Sequence, residues 1–292
     1  GLVAVNAAVQ SLRSGECDTA LAAAVNTLIH PVGHVNLCRA RMLSADGRCR
    51  TFDASASGYV RSEGCGAVVL RRVDASELHS HGRCLGIVRA AVMNQDGRSA
   101  SLTAPNGSSQ EALLRRALAE AGIEPGQVDM VETHGTGTSL GDPIEFNALR
   151  SVFGKTERSR PLAMGAVKSN IGHLEVAAGM AGMIKLIMSL DRRHIPGNLH
   201  MVEANPELDT DGFDVQFPSG RGVALGRPGD VESGLLGGVS SFGFGGTNAH
   251  VIVESCATTA ADGDGERRIE YGDAVQYDRQ RFGVERSCRV RR

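Results

Sequence analysis

Two histidines and a lysine stand where chemistry can start. His134 lies in VETHGTGTSLGDPIE (131–145), Lys168 and His173 open KSNIGHLEVAAG (168–179), and a third turn, SSFGFGGTNAH, spans 240–250. Each turn follows a strand-like run and is rich in small residues, which let backbone N–H groups come close to a bound molecule. Imidazoles, an ammonium and exposed amides are the parts suited to holding an oxyanion as it develops. Taken singly, either histidine also fits a hydrogen-bonded structural role, so the clustering of three such turns carries the argument.

Other chemistries lack their parts. No G-x-x-x-x-G-K-[ST] occurs, and GFGGTN reads G-x-G-x-x-N ahead of the strand-like AHVIVE instead of a helix, which argues against nucleotide binding. There is no G-x-S-x-G elbow, and none of the seven cysteines (17, 38, 49, 65, 84, 256, 288) sits at a strand-to-helix turn, so no nucleophile is visible. An odd cysteine count without CxxC spacing argues against a disulfide framework or zinc ribbon and points to a reducing compartment. The nearest approach to a metal cluster, His79, His81 and Cys84, lacks a fourth ligand, and DGDGE (262–266) has Arg267 where a calcium loop needs glycine, so no metal is expected. A net charge of -2 offers no basic face for nucleic acid, and 41% hydrophobic residues suffice for a sizeable core. The opening GLVAVNAAVQ is too short and polar for a membrane span or signal peptide.

The elements that must position these residues read as alternating strands and helices. Apolar residues at 2, 5, 9 and 12 predict a helix over 2–13, begun mid-course and without an initiator methionine, as in a chain that starts inside a domain. Strands follow at 20–25, 67–70 and 84–92, then a helix from Ser108 with a Ser108/Glu111 capping box and a stop at Gly122. Strand 128–133, a helix over 142–153 capped by Asp142, strand 162–167 and a helix over 174–190 come next. That last helix is apolar on nearly every face, which predicts burial between two sheets. The alternation predicts a largely parallel sheet with site residues at the carboxyl ends of its strands. Beyond Ser255 the chain turns charged and aperiodic, as in a linker or disordered tail.

The phrases VETHGTGTSLGDPIE, KSNIGHLEVAAGMAGMIK and SSFGFGGTNAHVIVE resemble, nearly letter for letter, the β-ketoacyl synthase (ketosynthase) domains of type I polyketide and fatty acid synthases. The resemblance extends through SLRSGECDTALAAAVN, MLSADGRCRTFDASASGYVRSEGCGAVVLRR and NQDGRSASLTAPNGSSQ, covering Gly1 to Glu254. It implies an α/β, thiolase-like fold of five layers, α-β-α-β-α, truncated at the N-terminus. Residues 1–73 would be the remainder of the N-terminal half, 82–255 the C-terminal half and 256–292 a linker or tail. It implies a decarboxylative condensation of a carrier-bound acyl chain with a malonyl-type extender.

By the same resemblance His134 and His173 stabilise the enolate, and Lys168 orients His173 or serves a structural salt bridge. Thr136 and Thr138 bind pantetheine amides, or simply cap their turn. The backbone N–H of Phe244 is an oxyanion-hole donor with its ring as a pocket gate. Phe242 contacts the acyl or pantetheine chain, or is a core aromatic. Glu175 takes no catalytic step and faces the positive end of a helix dipole. Ser57 and Ser62 stand where the family usually has Asp and Gly, which affects local loop shape. The family's nucleophilic cysteine would fall three residues ahead of Gly1, so the chain as given is expected to be inactive alone. Expected partners are an acyl carrier protein, whose phosphopantetheine carries the substrates, and a second copy in a homodimer. No covalently bound cofactor, nucleic acid or membrane span is expected, and the expected location is cytoplasmic. The alternative is a non-catalytic ketosynthase-like partner or acyl-binding subunit, a role that needs neither histidine.

Overall fold

In the computed structural model residues 1–73, 84–99, 104–226 and 234–256 are described. His79, His81, the run 262–266 and nearly all of the expected tail lie outside them.

Helix α1 (Leu2–Arg13) buries Leu2, Val5, Val9 and Leu12, the stripe its spacing predicts. It leads to β1 (Thr19–Asn26), which pairs antiparallel with β2 (Gly64–Arg71) so that Leu21 lies opposite Val69. Between them runs α2 (Pro31–Arg39), which the sequence did not predict. None of its residues is buried, so no apolar periodicity marked it; His30 caps it by accepting the Val32 N–H, and Pro31 opens it.

The central sheet has six strands in the order β3-β10-β9-β4-β5-β7: β3 (Ile87–Gln95), β4 (Val128–Glu132), β5 (Leu162–Gly165), β7 (Val215–Gln216), β9 (Leu236–Phe242) and β10 (Thr247–Glu254). It is mixed, where a largely parallel sheet was expected. From β9 through β4 and β5 to β7 the strands are parallel, but β9 and β10 are joined by the turn 243–246, which is too short for a crossover and makes them an antiparallel hairpin. β3 extends that antiparallel side. A small pair, β6 (His194–Ile195) and β8 (Val223–Ala224), stands apart.

Successive residues of β4 point into different cores, as strand alternation requires. Val131 joins Leu113, Phe146 and Leu149 under α3 (Gly107–Ala121) and α4 (Gly141–Phe153). Met130 joins Leu2, Met180, Met183 and Leu186 under α1 and α6 (Ala178–Asp191). That second core also holds Ala22 and Ala24 of β1, so α1 and α6 lie between the two sheets. Four of the five expected layers are thereby formed. The outer face of β1–β2, with Leu21 and Val69 each 69% exposed, is not covered by a helix layer among the described residues.

Three local expectations are corrected. Asn106, not Ser108, caps α3 by accepting the Ser109 N–H, and Glu111 pairs instead with Arg115. Asp142 sits buried inside the first turn of α4, its carboxylate turned to the backbone of Phe52 and Gly137. The helix expected over 174–190 begins as a 3-10 turn, Glu175–Ala177, and becomes α-helical only at Ala178, because Glu175 has φ 45. Ahead of it Lys168–Ile171 forms a single-turn helix, α5. No helix among the described residues is long and apolar enough to cross a membrane.

Candidate active site

The carboxyl end of β4 delivers His134, and two carboxylates of α4 hold the loop that carries it. Glu145 accepts the N–H groups of His134 (2.7 Å) and Gly135 (2.8 Å). Asp142 accepts those of Phe52 (2.8 Å) and Gly137 (3.0 Å), tying the loop to residues 50–58. Thr51 Oγ1 donates to the Gly135 carbonyl at 2.7 Å. Gly135 (φ 43) and Gly137 (φ 75) have left-handed backbones, and a Cβ on Gly137 would stand 2.8 Å from the Arg50 nitrogen, so both positions need glycine. Burial pushes Asp142 up to about 6 and raises Glu145, against the backbone donors that favour the charged forms.

His173 is gripped by its backbone. Its N–H donates to the Val60 carbonyl at 2.7 Å and its carbonyl accepts the Ser62 N–H at 3.0 Å. Its Nδ1 accepts the Glu175 N–H at 2.8 Å, and His134 Nδ1 accepts the Phe242 N–H at 3.3 Å. A backbone donor can be met only by a bare ring nitrogen, so each neutral imidazole carries its proton on Nε2. The two rings stand edge to face with centroids 5.5 Å apart. Phe242 lies tilted against His134 at 5.4 Å and Tyr59 against His173 at 5.0 Å.

Burial and the Lys168 ammonium hold both rings neutral. His134 falls well below its ordinary value and His173 to about 3. Lys168 is 3% exposed; burial lowers its pKa, opposed by Glu145, Glu132, Cys49 and Asp142. Glu132 is itself engaged, pairing with Lys185 at 2.7 Å and accepting the Val167 N–H at 2.5 Å. Cys49 accepts the Val60 N–H through Sγ at 3.2 Å, and burial pushes its thiol up, so it remains protonated instead of serving as a nucleophile.

Of the residues expected from the sequence, His134, His173, Lys168 and Phe242 come together here. Thr136 and Thr138 lie on the same loop with hydroxyls 3.1 Å apart, and Thr138 Oγ1 accepts the Gly141 N–H at 3.1 Å, the turn-capping role. Phe244 lies in the β9–β10 turn with its side chain outward, 55% exposed. That turn is fixed to the end of β3: Gly245 accepts from Gln95 Nε2 at 3.2 Å and Gly246 from the Asp96 N–H at 2.8 Å. Glu145, Tyr59 and the two backbone partners of Asp142 were missed. The pair of acids at positions 142 and 145, three apart on one helical face, was the available signal for the first.

A mixed sheet backed by two buried helices, with two Nε2-protonated imidazoles and a buried lysine at its strand ends, defines the thiolase-like class. Residues 1–76 match the Beta-ketoacyl synthase, N-terminal domain, and residues 85–202 the Beta-ketoacyl synthase, C-terminal domain. The chain is 45% identical over 275 residues to the spectinabilin polyketide synthase system protein NorA of Streptomyces orinoci, covering 91% of this chain and 14% of that protein. It is 45% identical over 255 residues to pikromycin polyketide synthase component PikAIII of Streptomyces venezuelae, covering 87% and 16%. It superposes on the ketosynthase from module 6 of the bacillaene synthase of Bacillus subtilis 168 with a TM-score of 0.80 and 36% identity, over 87% of this chain and 46% of that one. The chain belongs to the β-ketoacyl synthase family. It spans less than half of the solved ketosynthase chain and about a seventh of the spectinabilin synthase protein.

Proposed function

We propose that the protein to which these residues belong is a β-ketoacyl synthase of polyketide assembly, and that this chain supplies its decarboxylation site. The observation that carries the reading is the pair of Nδ1 atoms engaged by backbone N–H groups, which puts the proton of each imidazole on Nε2 in two rings whose centroids are 5.5 Å apart. The acyl chain passes from an acyl carrier protein to a cysteine thiolate, placed by the family resemblance three residues ahead of Gly1. A malonyl-type thioester then loses CO2, and the electron pair of the broken C–C bond moves onto the thioester oxygen. His134 and His173 donate hydrogen bonds to that oxygen as its charge develops, where such donors lower the barrier most. Neutral imidazoles stabilise the enolate without surrendering a proton to its carbon. The carbon therefore stays nucleophilic, attacks the acyl carbonyl and expels the cysteine thiolate.

Lys168 keeps both rings neutral by its charge in a poorly screened interior. Thr136 and Thr138 present hydroxyls to the amides of a phosphopantetheine arm, Phe242 and Phe244 flank that arm, and the Phe244 N–H donates to the acyl oxyanion. Without the cysteine the chain is inactive alone. The whole enzyme works as a homodimer in the cytoplasm with a carrier protein as partner.

The test joins residues 1–292 to a ketosynthase N-terminal segment bearing the cysteine and measures CO2 release from malonyl-loaded carrier protein. His134→Ala and His173→Ala should each slow release by about 10²–10³. Unchanged release refutes their assignment, and no release from the unaltered protein favours a non-catalytic ketosynthase-like partner.

A further inference from the structure

The tautomer of His173 depends on one N–H, and that N–H belongs to a residue in a strained conformation. Glu175 has φ 45, a left-handed backbone that costs a non-glycine residue about 1–2 kcal/mol and persists only where its surroundings hold it. In this conformation its N–H reaches His173 Nδ1 at 2.8 Å. Its carboxylate meets the Arg61 guanidinium through two contacts, Nε to Oε1 and Nη2 to Oε2, the second at 3.0 Å. Two-pronged geometry of this kind fixes orientation as well as distance.

Arg61 is itself fixed relative to His173. It sits opposite His173 in a parallel bridge, flanked by Val60 and Ser62, whose carbonyl and N–H hold the histidine backbone. The contacts close a ring: His173 backbone, segment 60–62, Arg61 guanidinium, Glu175 carboxylate, Glu175 N–H, His173 Nδ1. Its ion pair is well shielded, with side chains 12% and 25% exposed. Gly33 of α2 lies against the guanidinium, where a Cβ would come within 3.1 Å of Nη1. The dipole role expected for Glu175 does not account for this arrangement, since α6 begins only at Ala178.

We propose that Arg61 and Glu175 are positioning residues that set which nitrogen of His173 carries the proton, by holding the Glu175 backbone in its left-handed form. The proposal deepens the function above, which uses the His173 Nε2–H as a donor. Lys168, His134 and Tyr59 also face His173, and the Lys168 charge disfavours its protonation. Loss of the pair therefore changes tautomer and ring orientation without charging the ring.

The experiment is long-range ¹H–¹⁵N spectroscopy of the histidine side chains in the ¹⁵N-labelled chain at pH 7. The unaltered chain should show His173 wholly in its Nε2–H form. In Arg61→Ala and Glu175→Ala it should become a mixture, while His134, held by the Phe242 N–H, keeps its signals and reports on folding. Arg61→Met, which retains the apolar stem, should behave as Arg61→Ala and serves where the smaller residue fails to fold. Adding Glu175→Gly to either Arg61 variant should restore the Nε2–H form, because glycine adopts positive φ without a clamp. An unchanged His173 spectrum in folded Arg61 and Glu175→Ala variants, or no recovery with Glu175→Gly, overturns the proposal. In the cysteine-bearing protein, Arg61→Met should lower kcat for CO2 release about tenfold with KM unchanged. A tautomer change in a protein that releases no CO2 would leave the clamp standing and remove the reaction assigned above.

Discussion

Both carboxylate oxygens of Asp142 are committed to backbone N–H groups, Phe52 at 2.8 Å and Gly137 at 3.0 Å, in a fully buried setting. Removing an acceptor from a buried donor costs about 1–3 kcal/mol per orphaned group. Asp142→Ala should therefore lower stability by about 2–6 kcal/mol, and Asp142→Asn, which keeps one acceptor oxygen, by less. Urea unfolding midpoints at constant m-value check this, and equal losses in the two variants would show that the second hydrogen bond contributes nothing. The role was only half legible. Asp142 before Pro143 reads locally as a helix cap, and Phe52, the donor that claims it instead, is 90 residues away. By contrast the small-residue turns marked His134, Lys168 and His173 as candidates, and the roles expected for them came from the family resemblance. The Arg61–Glu175 pair joins residues separated by 114 positions and left no local signal.

At the scale of elements, the legible features were those with a repeating period. The stripe of α1 and the all-round apolarity of α6 both predicted their burial, and both helices pack between the sheets. Features without a period were lost: α2 buries nothing, and the break at Glu175 depends on backbone strain that residue type does not announce. The direction of β9 and β10 follows from the length of their turn rather than from either strand's pattern. The glycines of α6 have a packing reason. A Cβ at Gly179 would lie 2.8 Å from Leu2 Cγ and 3.0 Å from Ser241 Cβ, so α6 approaches α1 and β9 more closely than alanine permits. Gly179→Val should destabilise the fold by about 1–3 kcal/mol through overpacking, despite removing a helix glycine. A thermal melt showing an equal or higher Tm would mean that α6 can move outward, and that the close approach is not required.

For the molecule as a whole, buried titratable groups set an acid response with two opposing signs. His134, His173 and His250 are held neutral by burial, His250 at about 3 beside Ser240 Oγ, 2.9 Å from its Nδ1. The unfolded chain takes up protons at such residues near pH 6.5 while the folded chain does not, so their contribution to stability falls as pH drops below about 6.5. Asp142, raised to about 6, works the other way: the folded chain protonates it first, so its contribution grows as pH falls from about 6 toward its ordinary value. Total stability therefore hides each term, and a difference between variants isolates one. His250→Gln removes a single imidazole, held against Ser240, to which no step of the proposed reaction is assigned. Its stability deficit relative to the unaltered chain should be about 2 kcal/mol smaller at pH 5 than at pH 7.5, since the unaltered chain alone loses the His250 contribution over that interval. Urea titrations of both proteins at the two pH values measure the difference. A deficit independent of pH would mean that His250 accepts a proton inside the fold, with Ser240 turning to receive its hydrogen bond.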